Sequence, residues 1–334
     1  MTVVKMNFPL LQLENVGRDF VLSAGIWSGK SSILRAVHQE SLTLQRGEIL
    51  GIVGESGCGK STLASLVTGV REPSRGRIFF DGQDITHLKS SARRASRRRI
   101  QIVFQNPASA LNPRMRILTQ VKEGLIVHGI GDPAGRENLA REALLKVGLA
   151  DEMVMRYPHQ LSGGQQQRAA IARAIVTSPE LIVLDEAVSA LDVSVKAQVI
   201  NLLKHLKRSM GLSYLFISHD LAVVRQLCDR VAVMLGGRIV ELAPADELFR
   251  EPRHPFTRTL IEAIPHPDPD VPFAPLPPVI DRKLSAERCP FADRCTYMEE
   301  VCAGAAPLLS SIDATHQIGC HIDPFAPSLE RAAL

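Results

Sequence analysis

No run of apolar residues in this chain reaches the ~18 that a bilayer-spanning helix requires. No basic stretch with an apolar core behind it opens the sequence either. These absences predict a soluble, cytoplasmic chain, so work at a membrane would need spanning helices from other polypeptides. Aromatics are scarce at 4%, with Trp27 the single tryptophan, which argues against a base-stacking platform for nucleic acid. Charge of one sign is scarce too, and a net +4 suits nucleotide or membrane-surface partners without selecting either. No Cys-x-x-Cys pair and no internal repeat occur in the 334 residues. One large core with an appendage is therefore the expected organisation.

What is present begins with β patterning at Leu11–Val16 and Ser41–Leu44. The apolar run Glu48–Val53 then reads as a buried strand, Gly51–Gly59 as a glycine-rich loop and Ser61–Val70 as a helix. That succession opens a parallel α/β unit. Within it, Gly54-Glu55-Ser56-Gly57-Cys58-Gly59-Lys60-Ser61 fits the phosphate-loop pattern GxxxxGK[ST]. Glycines there let backbone N–H groups turn inward around a β-phosphate, and the helix presents its positive end. Lys60 is expected to neutralise β- and γ-phosphate oxygens and Ser61 to offer its hydroxyl to Mg²⁺, with Thr62 completing the nucleotide-binding set. A plain glycine turn is the competing reading, and the flanking strand and helix weigh against it. Ser28-Gly29-Lys30-Ser31 is a decoy, because Gly25 stands one residue too close and no apolar strand precedes it.

Leu181–Leu184 is a second buried strand, and it delivers Asp185 and Glu186 at its carboxyl end. Asp185 is placed to hold Mg²⁺ through water and Glu186 to polarise an attacking water. Some 20 residues earlier lies Leu161-Ser162-Gly163-Gly164-Gln165-Gln166-Gln167-Arg168, opening a helix from about Gln165 to Val176. Ser162, Gly163 and Gly164 make a second helix N-terminus that phosphate can approach closely, unless they serve only as a serine cap. Further strands are expected at Ile100–Phe104 and Tyr214–Ile217, a helix at Val193–Ser209, and a hairpin of Val231–Leu235 with Arg238–Leu242. Arg93, Arg94, Arg97, Arg98 and Arg99 read as a solvated helix face more than as a nucleic-acid patch.

The Leu161–Gln165 sequence resembles the LSGGQ signature of ATP-binding cassette (ABC) ATPases, and other positions then match in order from about residue 10 to 265. Gln105 is similar to the Q-loop glutamine that senses Mg²⁺ and lytic water. Ser189-Ala190-Leu191-Asp192 resembles the D-loop, His219 the switch histidine at the γ-phosphate, and Phe20 the aromatic that stacks on adenine. One departure is Ala187-Val188, where the family usually carries proline next. The resemblance implies an α/β fold: a RecA-like P-loop NTPase core with an antiparallel β subdomain and an α-helical subdomain. It also implies an ABC nucleotide-binding domain over 1–250, its helical subdomain at about 106–170. It implies an ATPase that hydrolyses ATP with Mg²⁺ in a dimer, one chain's phosphate loop facing the signature motif of a second ABC ATPase chain.

Residues 251–334 read as a proline-rich linker, Pro252 to Pro278, and a cysteine-rich C-terminal extension. Phe104-Gln105-Asn106-Pro107 with Leu111-Asn112-Pro113-Arg114, Arg253-His254-Pro255-Phe256-Thr257 and Cys289-Pro290-Phe291-Ala292-Asp293-Arg294-Cys295 are similar to segments of dipeptide, oligopeptide and nickel importer ATPases. That likeness implies work at the cytoplasmic face of the cell membrane with two transmembrane permease subunits, an extracytoplasmic solute-binding protein acting indirectly, and no nucleic acid. A soluble ABC ATPase acting on nucleic acid or ribosomes is the alternative. A regulatory protein with a dead ATP site is opposed by Lys60, Asp185, Glu186 and His219. Cys289, Cys295, Cys302 and Cys320, spaced C-x5-C-x6-C-x17-C, suit a [4Fe–4S] cluster better than the paired spacing of structural zinc. His316 and His321 keep zinc open, and unliganded thiols are a third possibility. Such a site is expected to be a structural staple with no part in phosphoryl transfer.

Overall fold

The computed structural model describes residues 8–22, 32–264 and 288–326. Gly25, Trp27, the decoy Ser28–Ser31 and most of the proline-rich stretch lie outside them. The chain begins with β1 (Leu11–Leu22) and β2 (Ser32–Leu44), then β3 (Ile49–Val53) and α1 (Lys60–Val67). β4 (Arg75–Phe80), β5 (Gln83–Asp84), α2 (Ser90–Arg99) and β6 (Ile100–Val103) follow. A helical stretch holds α3 (Pro107–Ala110), α4 (Ile117–Val127), α5 (Pro133–Lys146), α6 (Asp151–Val154) and α7 (Gly163–Ile175). The α/β pattern resumes with β7 (Leu181–Asp185), α8 (Val193–Met210), β8 (Ser213–Ile217), α9 (Leu221–Leu227), β9 (Arg230–Leu235) and β10 (Arg238–Pro244). The remainder is α10 (Ala245–Arg250), α11 (Pro255–Glu262), α12 (Glu300–Gly304), β11 (Ser310–Ser311) and β12 (Gln317–Ile318).

These strands form two sheets. One is antiparallel, in the order β2-β1-β4-β5. The other runs β11-β12-β10-β9-β3-β8-β7-β6, parallel from β9 to β6 and antiparallel at the β10, β12 and β11 edge. Central strands β3 and β8 are buried at every residue, which is why they read as unbroken apolar runs. One core packs between the two sheets, around Leu13, Leu44, Ile52 and Phe80. Another, around Val121, Leu144, Ile171 and Phe216, joins the large sheet to α4, α5 and α7.

Helix starts follow capping chemistry. Asn106 caps α3 with Pro107 behind it, and Asp132 caps α5 with Pro133 behind it. His254 does the same for α11, its Nδ1 accepting from the Phe256 N–H at 3.0 Å. Burial lowers the His254 pKa to about 4, so the ring stays neutral and can accept. α2 has no buried residue, and two of its five arginines are engaged by acids: Arg93 by Glu72, Arg99 by Asp81 and Glu180.

Residues 288–326 dock on the β10 edge. β12 pairs with β10, Glu241 opposite Ile318 and Leu242 opposite Gln317. Arg253 pairs with Asp323, and Arg258 lies 4.5 Å from the Phe325 ring centroid. His316 is buried between carboxylates, Nε2 2.8 Å from Glu241 and Nδ1 3.0 Å from Glu247. Burial alone would lower its pKa, but the hydrogen bonds to Glu241 and Glu247 outweigh that and raise it. A raised folded-state histidine stabilises fully below its unfolded pKa of about 6.5, and that share is lost as pH climbs through the folded value. Tail docking, read by hydrogen exchange at β12, is therefore expected to weaken as pH rises above neutrality. His316→Gln should flatten this dependence; an unchanged profile in that variant would remove His316 as its source.

Candidate active site

Three parallel strands bring the motifs together. β3, β8 and β7 are neighbours, and their carboxyl ends lead directly into Gly54, Ser218 and Asp185–Glu186 at one rim. Open α/β sheets bind ligands at that rim.

From β3 the chain turns through Gly54–Gly59 into α1. At Gly59 φ is +108° and a Cβ would stand 2.1 Å from the Ala36 carbonyl oxygen, so no side chain fits. Lys60 is buried, and its Nζ donates to the Gly54 and Glu55 carbonyls, both at 2.8 Å. The ammonium folds over its own loop, where phosphate oxygens can replace those carbonyls. The Cys58 thiol is pushed up by burial, against the pull of Lys60.

Ser61 Oγ lies 3.2 Å from Asp185 Oδ1, to which it donates. Burial raises the Asp185 pKa most; Glu186 adds to the rise, while the Ser61 hydrogen bond and Lys60 oppose it. A carboxyl disfavoured as an anion by burial, with a hydroxyl beside it, suits a hard, oxygen-seeking divalent cation.

Glu186 stands one residue past β7 with φ +49°, a left-handed conformation that its surroundings hold in place. Its N–H donates to the Ile217 carbonyl at 3.0 Å, and its own carbonyl accepts from Ser189 Oγ at 2.9 Å. Gln105 Nε2 donates to Glu186 Oε2 at 2.8 Å, and His219 Nδ1 lies 3.3 Å from the same oxygen. Gln105 follows β6 and His219 follows β8, so three strand ends converge on one carboxylate. Next to His219, Asp220 caps α9 and pairs with Lys196 at 2.7 Å, which braces the histidine's turn.

Ser162 caps α7 in a reciprocal box: the Gln165 N–H reaches Ser162 Oγ at 3.3 Å, and the Ser162 N–H reaches Gln165 Oε1 at 2.9 Å. Gly163 is open to solvent. A Cβ on Gly164 would stand 2.5 Å from Val195 Cγ1, so glycine lets α7 press against α8. Among the described residues no hydrogen bond joins Ser162–Gln165 to Gly54–Thr62. Asp192 caps α8 by accepting from the Val195 N–H at 2.9 Å. Ala187 and Val188 are buried, so the departure from proline fills core space beside β7. Phe20 is half-buried, with the Arg18 and Arg71 guanidinium groups 5.0 and 5.3 Å from its ring centroid.

Cys289, Cys295, Cys302 and Cys320 line one hollow with Phe291 and His321, and none is in a disulfide. Burial pushes the Cys289 thiol up to about 11, and the other three cysteines add to the rise. Cys295 and Cys320 are raised for the same first reason. Four thiols cannot ionise together in such a place without a cation. His316, an alternative zinc ligand by sequence, instead engages Glu241 and Glu247.

Sequence reasoning missed Arg294. Its guanidinium makes two hydrogen bonds to the Glu55 carboxylate of the phosphate loop, at 2.5 and 3.0 Å. The tail thus touches the phosphate loop, a contact that the staple expectation did not include. The only available signal was the arginine of the Cys289–Cys295 segment itself.

With this geometry in place, comparisons with known proteins are informative. Residues 37–189 match the model of the ABC transporter family, and residues 240–302 match that of the oligopeptide/dipeptide transporter C-terminal region. The chain is 44% identical to a probable peptide ABC transporter ATP-binding protein, y4tS, of Sinorhizobium fredii, covering 95% of this chain and 91% of that one. It is 42% identical to the di/tripeptide transport ATP-binding protein DppF of Pseudomonas aeruginosa, over 93% and 97%. Among solved structures, the dimeric ATP-binding cassette MJ0796 in a post-hydrolysis state with ADP and Pi is similar, with a TM-score of 0.63 and 30% identity, over 70% of this chain and 98% of that one.

Proposed function

Since the chain belongs to the ATP-binding proteins of the ABC transporter family, we propose that it is the ATP-hydrolysing motor of an importer for dipeptides or oligopeptides, with nickel as a related option. The observation that carries this reading is the convergence of Gln105 and His219 on one oxygen of Glu186, beside the Ser61–Asp185 pair and Lys60. The C-terminal match to oligopeptide and dipeptide transporters supports the cargo class.

In this reading Gly54–Thr62 wraps the phosphates, Lys60 neutralises them, and Phe20 offers a ring face to adenine. Ser61, Asp185 and Gln105 would hold Mg²⁺, which supplies charge neutralisation at the β- and γ-oxygens. Glu186 takes the proton of the attacking water. Gln105 orients that water and His219 steadies the γ-phosphate, both from positions already on the Glu186 oxygen. Ser162–Gln165 and Asp192 serve the nucleotide of the second ATPase chain, which agrees with the self-contained hydrogen bonding of that cap. Closure of the two chains drives two transmembrane permease subunits at the cytoplasmic face, and an extracytoplasmic solute-binding protein delivers cargo on the other side. Among the described residues no helix is long and apolar enough to cross a membrane. Acids already engage Arg93 and Arg99 of α2, which weighs against the nucleic-acid alternative. Deleting the gene should abolish uptake of labelled dipeptide, and wild type but not a hydrolysis-dead variant should restore it. Undiminished uptake of peptides and of nickel would overturn the assignment.

The four tail cysteines would hold a [4Fe–4S] cluster as a structural staple. Sulfurs around a single zinc at about 2.3 Å sit roughly 3.8 Å apart. Among the described residues no three of the thiols lie within 4.8 Å of one another, although all four line one hollow. Anaerobic protein is expected to be brown, with about four iron and four sulfide per chain. Stoichiometric zinc without iron would refute the cluster.

A further inference from the structure

We propose that Arg294 is a positioning residue for the phosphate loop, cancelling the negative charge of Glu55 so that the loop accepts the polyphosphate of ATP. The inference rests on the reading of Gly54–Thr62 as that loop. Glu55 follows the first glycine of the motif, and its backbone carbonyl accepts from Lys60 at 2.8 Å. The residue whose carbonyl holds the ammonium thus also brings a carboxylate to the loop, and the two formal charges cancel. Arg294 restores a positive balance. Its planar fork meets both Glu55 oxygens, the geometry in which arginine binds carboxylate most firmly. Both side chains are shielded, at 9% and 15% exposure. The Phe291 and Phe256 ring centroids lie 5.1 and 5.7 Å from the guanidinium, which fixes its plane and thins the water around the pair.

The placement has a second consequence. Arg294 sits one residue before Cys295, in a segment tied back by the Cys289 N–H donating to the Cys302 carbonyl at 3.0 Å. Order in the cysteine tail thus reaches the nucleotide site through the Arg294–Glu55 pair.

Equilibrium titration of the full chain with a fluorescent ATP analogue tests this. Arg294→Ala should weaken binding about tenfold, because an unpaired carboxylate then faces the triphosphate. Glu55→Gln should bind more tightly than wild type, because the loop then loses its own negative charge. The double variant Arg294→Ala with Glu55→Gln should recover to within about twofold of Glu55→Gln, as a charge role demands and a merely structural role does not. Wild-type affinity in Arg294→Ala, or a double variant as weak as Arg294→Ala, would overturn the proposal. Should Arg294→Ala not fold, Arg294→Lys with and without Glu55→Gln runs the same cycle. The lysine variant is then expected to be weaker than wild type and recovered by Glu55→Gln, and equal affinities overturn the proposal. A wild-type chain that fails to bind ATP at all overturns the phosphate-loop reading as well.

Discussion

Glu186→Gln is expected to lower ATP turnover by about 10²–10⁴-fold, the usual worth of a positioned general base, while nucleotide binding survives. The amide keeps the size of the carboxylate and can still meet Gln105 and His219, which lie 2.8 and 3.3 Å from Glu186 Oε2. What it loses is the ability to accept a proton from water. Binding without hydrolysis should let ATP accumulate between two chains, so size-exclusion with MgATP is expected to show a lasting dimer that wild type shows only transiently. Turnover at the wild-type rate would mean that another group is the base.

Lys60→Ala should have an effect as large by a different route. The ammonium lies over the loop, its Nζ bonded to the Gly54 and Glu55 carbonyls. Removing it deletes charge compensation at the transferring phosphoryl group, worth about 10²–10³ in rate for one such donor, and weakens nucleotide affinity too. Turnover and ATP binding should therefore fall together, whereas Glu186→Gln separates them. Near-normal hydrolysis in the alanine variant would undo the assignment of the loop.

Much of the site was legible because each motif is short and local. Gly54–Ser61, Leu181–Glu186 and Leu161–Gln165 each occupy one strand end or one helix start, where composition and spacing speak directly. Other features depend on contacts that no local pattern encodes. β2 begins at Ser32, well before the alternation visible at Ser41–Leu44, because its pairing with β1 shifts register at several places between Leu13 and Asp19. Those shifts break the two-residue period on which strand reading relies. β11 and β12 have two residues each, too few to show a period. The Glu55–Arg294 pair spans 239 positions, and nothing near either residue announces the other.

The edge position of β12 bears on how the chain is made. Residues up to β10 leave the ribosome first, carrying strand β10 with one side bare, and the segment that pairs with Glu241–Leu242 emerges only after the residues between them have been made. A bare strand edge is a template for foreign pairing. During that interval a nascent cassette has its parallel strands in hand but one flank open to other chains, so premature termination before Gln317 should yield aggregating product more readily than a loss inside an exposed loop.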